Sequence, residues 1–109
     1  MSAQEIPAAE PLRLADLVVY QPGAVVSRIL LKRPTGTVTL FAFDAEQGLS
    51  EHTTPFDALA QILEGIAEIT ISGVAHKLQS GETILLPANQ PHALKAVEPF
   101  KMLLTMIRG

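Results

Sequence analysis

The chain has 109 residues, a net charge of −3 and no cysteine. That length fits one domain. The missing cysteines exclude disulfides, thiol nucleophiles, thiolate zinc sites and iron–sulfur clusters. With 8 Lys plus Arg against 11 Asp plus Glu, there is no basic surplus to meet a nucleic-acid backbone. Charged residues make up 17% of the chain and apolar residues 48%. So few charges on so small a domain imply that some apolar surface meets another subunit, most simply in a homodimer. Apolar runs stop at four to five residues, as in Leu17-Val18-Val19-Tyr20, too short to cross a bilayer. The N-terminus has neither a basic region nor an apolar stretch of signal-peptide length, so a cytoplasmic protein is expected.

Residues 1–11 contain two prolines, three alanines and two glutamates, and they read as a loose N-terminal arm before a single domain over 12–109. From there on, short segments rich in Val, Ile, Leu, Thr and Phe are cut by Gly and Pro every eight to twelve residues, the spacing of a β-sandwich or barrel. Strands are expected at Leu12 to Tyr20, Val25 to Lys32, Thr37 to Phe43, Asp57 to Leu63, Ala67 to Ser72, His76 to Leu78, Thr83 to Leu86, His92 to Val97 and Lys101 to Ile107. Pro22-Gly23, Pro34-Thr35-Gly36, Glu64-Gly65, Ser72-Gly73, Ser80-Gly81 and the segment Pro87 to Pro91 mark the turns. In Ala67-Glu68-Ile69-Thr70-Ile71-Ser72 apolar and polar residues alternate strictly, giving one dry face and one wet face.

Two stretches carry chemistry. The first runs from Gly48 through His52, Thr54 and Asp57 to Ile62-Leu63-Glu64-Gly65. The second is Gly81-Glu82-Thr83-Ile84-Leu85-Leu86-Pro87-Ala88-Asn89-Gln90-Pro91-His92. Together they resemble the paired motifs of the cupin superfamily. Gly81, Pro87 and His92 fall at the spacings of the second motif. Asn89 takes a glycine place there, which its tolerance of positive φ permits. In the first motif His52 matches the first histidine, Thr54 stands where a second histidine belongs, and Asp57 takes the glutamate place. The leading glycine place falls on Glu46, with Gly48 as a stand-in. The resemblance implies an all-β, double-stranded β-helix of jelly-roll type. It also implies a divalent ion (Fe, Mn, Zn or Ni) held by His52, Asp57 and His92, the two-imidazole, one-carboxylate set of facial-triad sites. Dimers are common in the family.

The alternation of side chains says which residues share a face. His52 and Thr54 are two apart and point the same way. Asp57 is an odd step beyond Thr54, and a corner at Pro55 is expected to restore the phase. Leu59, Gln61 and Leu63 then share the face of Asp57, which puts the Gln61 amide in the pocket, while Ala58, Ala60 and Ile62 share the other. In the last strand Met102, Leu104 and Met106 form an apolar, inward face. His76 is expected to be structural or exposed.

These residues leave three classes of function open. A binding module would hold a small polar or anionic metabolite through Thr54, Gln61, His52, His92 and Met102. A metal-dependent enzyme of dioxygenase, isomerase or decarboxylase type would use His52, Asp57 and His92. A structural partner of another protein would need neither. Thr54 in place of the second histidine favours the first over the second, and the two remaining histidines argue against the third.

Overall fold

The computed structural model describes residues 5–108. Among these residues the apolar segments between the Gly and Pro breaks form nine strands, β1 (Val25–Arg33), β2 (Gly36–Phe43), β3 (Gly48–His52), β4 (Asp57–Glu64), β5 (Ile66–Ile71), β6 (Val74–Gln79), β7 (Thr83–Leu86), β8 (His92–Ala96) and β9 (Phe100–Ile107). A five-stranded sheet has the order β1-β2-β9-β4-β7 and a four-stranded sheet the order β3-β8-β5-β6. Every pairing is antiparallel. This is the double-stranded β-helix expected from the sequence. Among the described residues no helix is long and apolar enough to cross a membrane.

The two sheets close on a core that includes Phe43, Ala60, Ile62, Ile69, Phe100 and Met102. Phe43 and Phe100 stack with ring centroids 4.4 Å apart. The small side chains of Ala58, Ala60 and Ala67 let the sheets approach, and all three are buried. Here β4 is turned relative to expectation. Ala58, Ala60 and Ile62 face the core, so Asp57, Leu59, Gln61 and Leu63 lie on the outer face of the sheet. The segment between β3 and β4 carries the chain from one sheet to the other, and the corner at Pro55 does not restore the phase. The two alanines and Ile62 fill the interior, and the polar residues stay outside where water can reach them.

No strand forms over Leu12 to Tyr20. Instead Leu14–Leu17 make a single turn of 3-10 helix, flanked by extended chain. This segment lies across the outer face of the five-stranded sheet, where Leu14, Leu17, Val18 and Tyr20 cover Leu30, Leu40, Ala42 and Leu103. Lys101 Nζ donates to the Ala15 carbonyl, the Tyr20 hydroxyl donates to Glu64 Oε2 at 2.8 Å, and the Lys101 ammonium sits 5.1 Å from the Tyr20 ring centroid. Of the expected arm, residues 1–4 lie outside the described residues. Ile6 N–H donates to the Leu30 carbonyl at 3.2 Å, and the Glu5 carboxylate accepts from Lys32 N–H and pairs with Arg33. The arm thus covers the β1 edge at the point where a bulge between Ile29 and Leu31 interrupts its pairing with β2.

Candidate functional site

His92 opens β8 and His52 closes β3, and the two are direct partners across that ladder. Cross-strand partners share a face of the sheet, and their rings meet edge to face with centroids 4.4 Å apart and an interplanar angle of 67°. His92 is 5% exposed and His52 is exposed, so the pair runs from the barrel interior to solvent. β3 is the strand that alternation alone missed. Its register against β8 shifts between Leu49 and His52, which breaks the two-residue rhythm.

The loop between β7 and β8 is tied down by four hydrogen bonds from outside it. Asn89 takes φ +64°, so the glycine place of the second motif keeps its left-handed backbone without glycine. Its N–H donates to the Thr54 carbonyl at 2.7 Å, and Ala88 N–H donates to Asp57 Oδ1 at 2.8 Å. On the other side Ser72 N–H donates to the Pro91 carbonyl at 2.8 Å, and the Ser72 hydroxyl donates to Gln90 Oε1 at 3.0 Å. The first motif therefore buttresses the second through backbone groups and the Asp57 carboxylate.

Each imidazole is oriented by a backbone carbonyl two residues before it. His52 Nδ1 lies 2.8 Å from the Ser50 oxygen and His92 Nδ1 lies 3.2 Å from the Gln90 oxygen. A carbonyl only accepts, so this network assigns the proton of each ring to Nδ1 and leaves Nε2 with its lone pair. Burial holds the His92 pKa below the ordinary histidine range; the Gln90 carbonyl opposes this, and the nearby His52 adds to it. His92 accordingly enters neutral pH as a neutral imidazole with an acceptor nitrogen.

The remaining residues singled out by sequence are placed differently. Asp57 is exposed and its carboxylate is engaged with Ala88 N–H. The structure does not bring it to the histidines. Among the described residues no group of three or more His, Asp or Glu side chains converges to hold a metal ion. Two imidazole nitrogens are present and the carboxylate of the expected three-ligand set is not. The corner at Pro55 explains this, because it leaves Asp57 on the outer face where its charge is solvated. Gln61 lies on that same outer face, opposite Leu103 and Thr83 in register, and not in the interior. Met102 does face inward but is 1% exposed, within the closed core rather than at an open surface. Thr54 is half-buried, and its hydroxyl donates to the Phe56 carbonyl at 3.2 Å. His76 is exposed on β6, as expected. A cavity of about 190 Å³ lies away from the histidines, against Leu31, Val38, Thr105 and Ile107.

The cupin domain family model matches residues 39–107, most of the chain and both motifs. The chain belongs to the cupin family. Over its whole length this cupin is similar to a conserved protein of unknown function from Streptococcus pyogenes, with 39% identity, 96% of that chain covered and a TM-score of 0.92. A cupin superfamily protein from Desulfitobacterium hafniense matches at 28% identity over 100% of both chains, with a TM-score of 0.91. A cupin 2 conserved barrel domain protein from Leptotrichia buccalis shares 37% identity over 89% of this chain and 47% of its own, with a TM-score of 0.86. No curated protein matches. Family membership does not choose a chemistry, because one fold hosts many. Sequence reasoning missed Gln90 and Ser50, which orient the two rings through backbone carbonyls that carry no residue-type signal.

Proposed function

We propose that this cupin is a binding module that takes a small polar metabolite at the end of its barrel, through the Nε2 atoms of His52 and His92. The observation that carries this reading is the ring pair itself. Two imidazoles 4.4 Å apart, each fixed through Nδ1, offer two unused acceptors at the margin of an otherwise apolar interior. Holding both rings in place before a ligand arrives lowers the ordering cost of binding. Thr54 follows His52 by two residues, and its hydroxyl donates to the Phe56 carbonyl. Asp57 holds the loop through Ala88 N–H, and Gln61 lies with it on the outer sheet face. A divalent ion at this site would be held by the two nitrogens alone.

The test is nuclear magnetic resonance of the labelled imidazoles during titration with a panel of sugars, alcohols and organic acids. At least one member should shift both histidines, and His52→Ala, a change at an exposed position, should remove the effect while leaving the fold intact. A panel in which every compound leaves both rings unmoved would overturn the reading.

The proposed partner is a second copy of the chain. In register, Leu31, Val38, Thr105, Leu59 and Leu85 form one row across all five strands of the outer sheet face. Leu85 is 53% exposed and Ile107 at the margin 63%. Leu103, on the same sheet face, is covered by the chain's own N-terminal segment.

A further inference from the structure

The row of the four-stranded sheet that contains the histidines continues beyond them. His52 pairs with His92, His92 with Ile71, and Ile71 with Val74, so four residues on four adjacent strands share one face. The first two are imidazoles and the last two are β-branched and apolar. Ile71 is partly buried against the core, but Val74 is 58% exposed on the inner face of the edge strand β6. Ser72 and Gly73 join the two strands with φ of +49° and +83°, a two-residue hairpin of type I′ geometry that fixes Val74 opposite Ile71. The Ser72 links to Gln90 and Pro91 fasten this hairpin to the loop that orients His92. Apolar shelf and imidazole pair are therefore one rigid surface.

Several of the chain's cations are engaged elsewhere, and Arg108 lies over the Phe56 ring, 5.1 Å from its centroid. Lys101 serves the Ala15 carbonyl and Glu64, Arg33 pairs with Glu5, and Arg28 donates to the Leu17 carbonyl. Lys77 and Lys95 flank Glu68 on the opposite face of the four-stranded sheet. None of these cations adjoins the histidine row. An anion placed there would draw on imidazoles, His76 on the same face of β6 as Val74 included, and on none of these paired cations, whereas a hydroxyl needs only an acceptor nitrogen.

We infer that the ligand is an uncharged amphipathic molecule, with a hydroxyl donated to Nε2 of His52 or His92 and an apolar body laid along Ile71 and Val74. This rests on the proposed binding reading and narrows its ligand class. The experiment compares cyclohexanol with cyclohexanecarboxylate, a pair that shares the apolar ring and differs in the polar end. Imidazole nitrogen and Val74 methyl resonances report both halves of the site. Cyclohexanol should shift both sets and bind at least tenfold tighter than the carboxylate. Val74→Ser, at an exposed position, should weaken cyclohexanol about fivefold by removing the covered methyl surface. Equal or tighter binding of the carboxylate, or cyclohexanol affinity unchanged in Val74→Ser, would overturn the inference and leave the binding reading standing. If neither probe moves the rings while another compound of the panel does, the inference falls alone. If nothing in the panel moves them, the binding reading falls and the inference with it.

Discussion

Gly65 joins β4 to β5 at the point where the chain passes from one sheet to the other, and its replacement by alanine is the sharpest test of the packing. Two penalties would act there. The backbone has φ +81°, a left-handed conformation that costs an L-residue roughly 1–2 kcal/mol. A Cβ at this position would also overlap the Pro99 carbonyl oxygen and come within 2.7 Å of Phe100 Cα and 2.8 Å of Phe100 Cβ. These are backbone and near-backbone atoms of a fully buried ring stacked on Phe43, so relief requires displacing Phe100. Complete loss of a buried Phe side chain costs about 3–5 kcal/mol, and partial displacement about half of that. The sum is about 3–4 kcal/mol, a large part of the roughly 5–15 kcal/mol that holds a domain folded. Gly73 supplies the control. It has φ +83° and nothing within 4 Å of an added Cβ, so Gly73→Ala incurs the conformational penalty alone. Urea unfolding of both variants separates the two terms, with the Gly65→Ala midpoint below that of the unsubstituted protein by about 1.5–2 M at a slope near 2 kcal/mol per M. If the two variants lose the same stability, the close approach at Pro99 and Phe100 is not a constraint and the reasoning fails.

Four further outcomes are expected. Glu46 has φ +66° at the glycine place of the first motif, so Glu46→Gly should stabilise the fold by about 1 kcal/mol in urea unfolding; a loss would contradict the strain. His92 has a lowered pKa in the folded state and an ordinary one when unfolded, so the unfolded chain binds more protons just below the ordinary histidine value. Stability should therefore be complete above that value and decline as pH falls through it, with the decline blunted in His92→Gln by thermal melting across pH. Tyr20→Phe removes the 2.8 Å hydrogen bond to Glu64 and should cost about 1 kcal/mol, with faster amide exchange confined to the segment around Leu14–Leu17. Ni(II), offered two imidazole nitrogens and no carboxylate, should bind only in the millimolar range by calorimetry; stoichiometric micromolar binding would show that Asp57 leaves Ala88 to join the histidines.

Much of this architecture was legible in the sequence because its physical cause is local. Alternation in Ala67 to Ile71 dictated one buried face, and Ala67 and Ile69 are fully buried. The motif spacing brought His52 and His92 together although 39 residues lie between them, because each motif closes its own turn. What failed was non-local. The face of β4 depends on the corner at Thr53 to Phe56, and no alternation rule passes through a proline that changes sheets. The inward expectation for Asp57 and Gln61 rests on that broken count. The segment Leu12 to Tyr20 has strand-forming residues but no partner edge, and burial of its apolar side chains on the outer sheet outweighs its propensity. The His92 to Val74 row was out of reach for a further reason, since register across three strand pairs exists only once the sheet is formed.

His52 and His92 face one another with both Nδ1–H groups donating to backbone carbonyls and both Nε2 atoms open. A long-range proton–nitrogen correlation spectrum of the imidazoles, recorded above the histidine titration range, reads this directly. Both rings should show the Nδ1–H tautomer, together with a cross-relaxation peak between their ring protons. An Nε2–H tautomer at either residue, or the absence of any contact between the two rings, would contradict this arrangement.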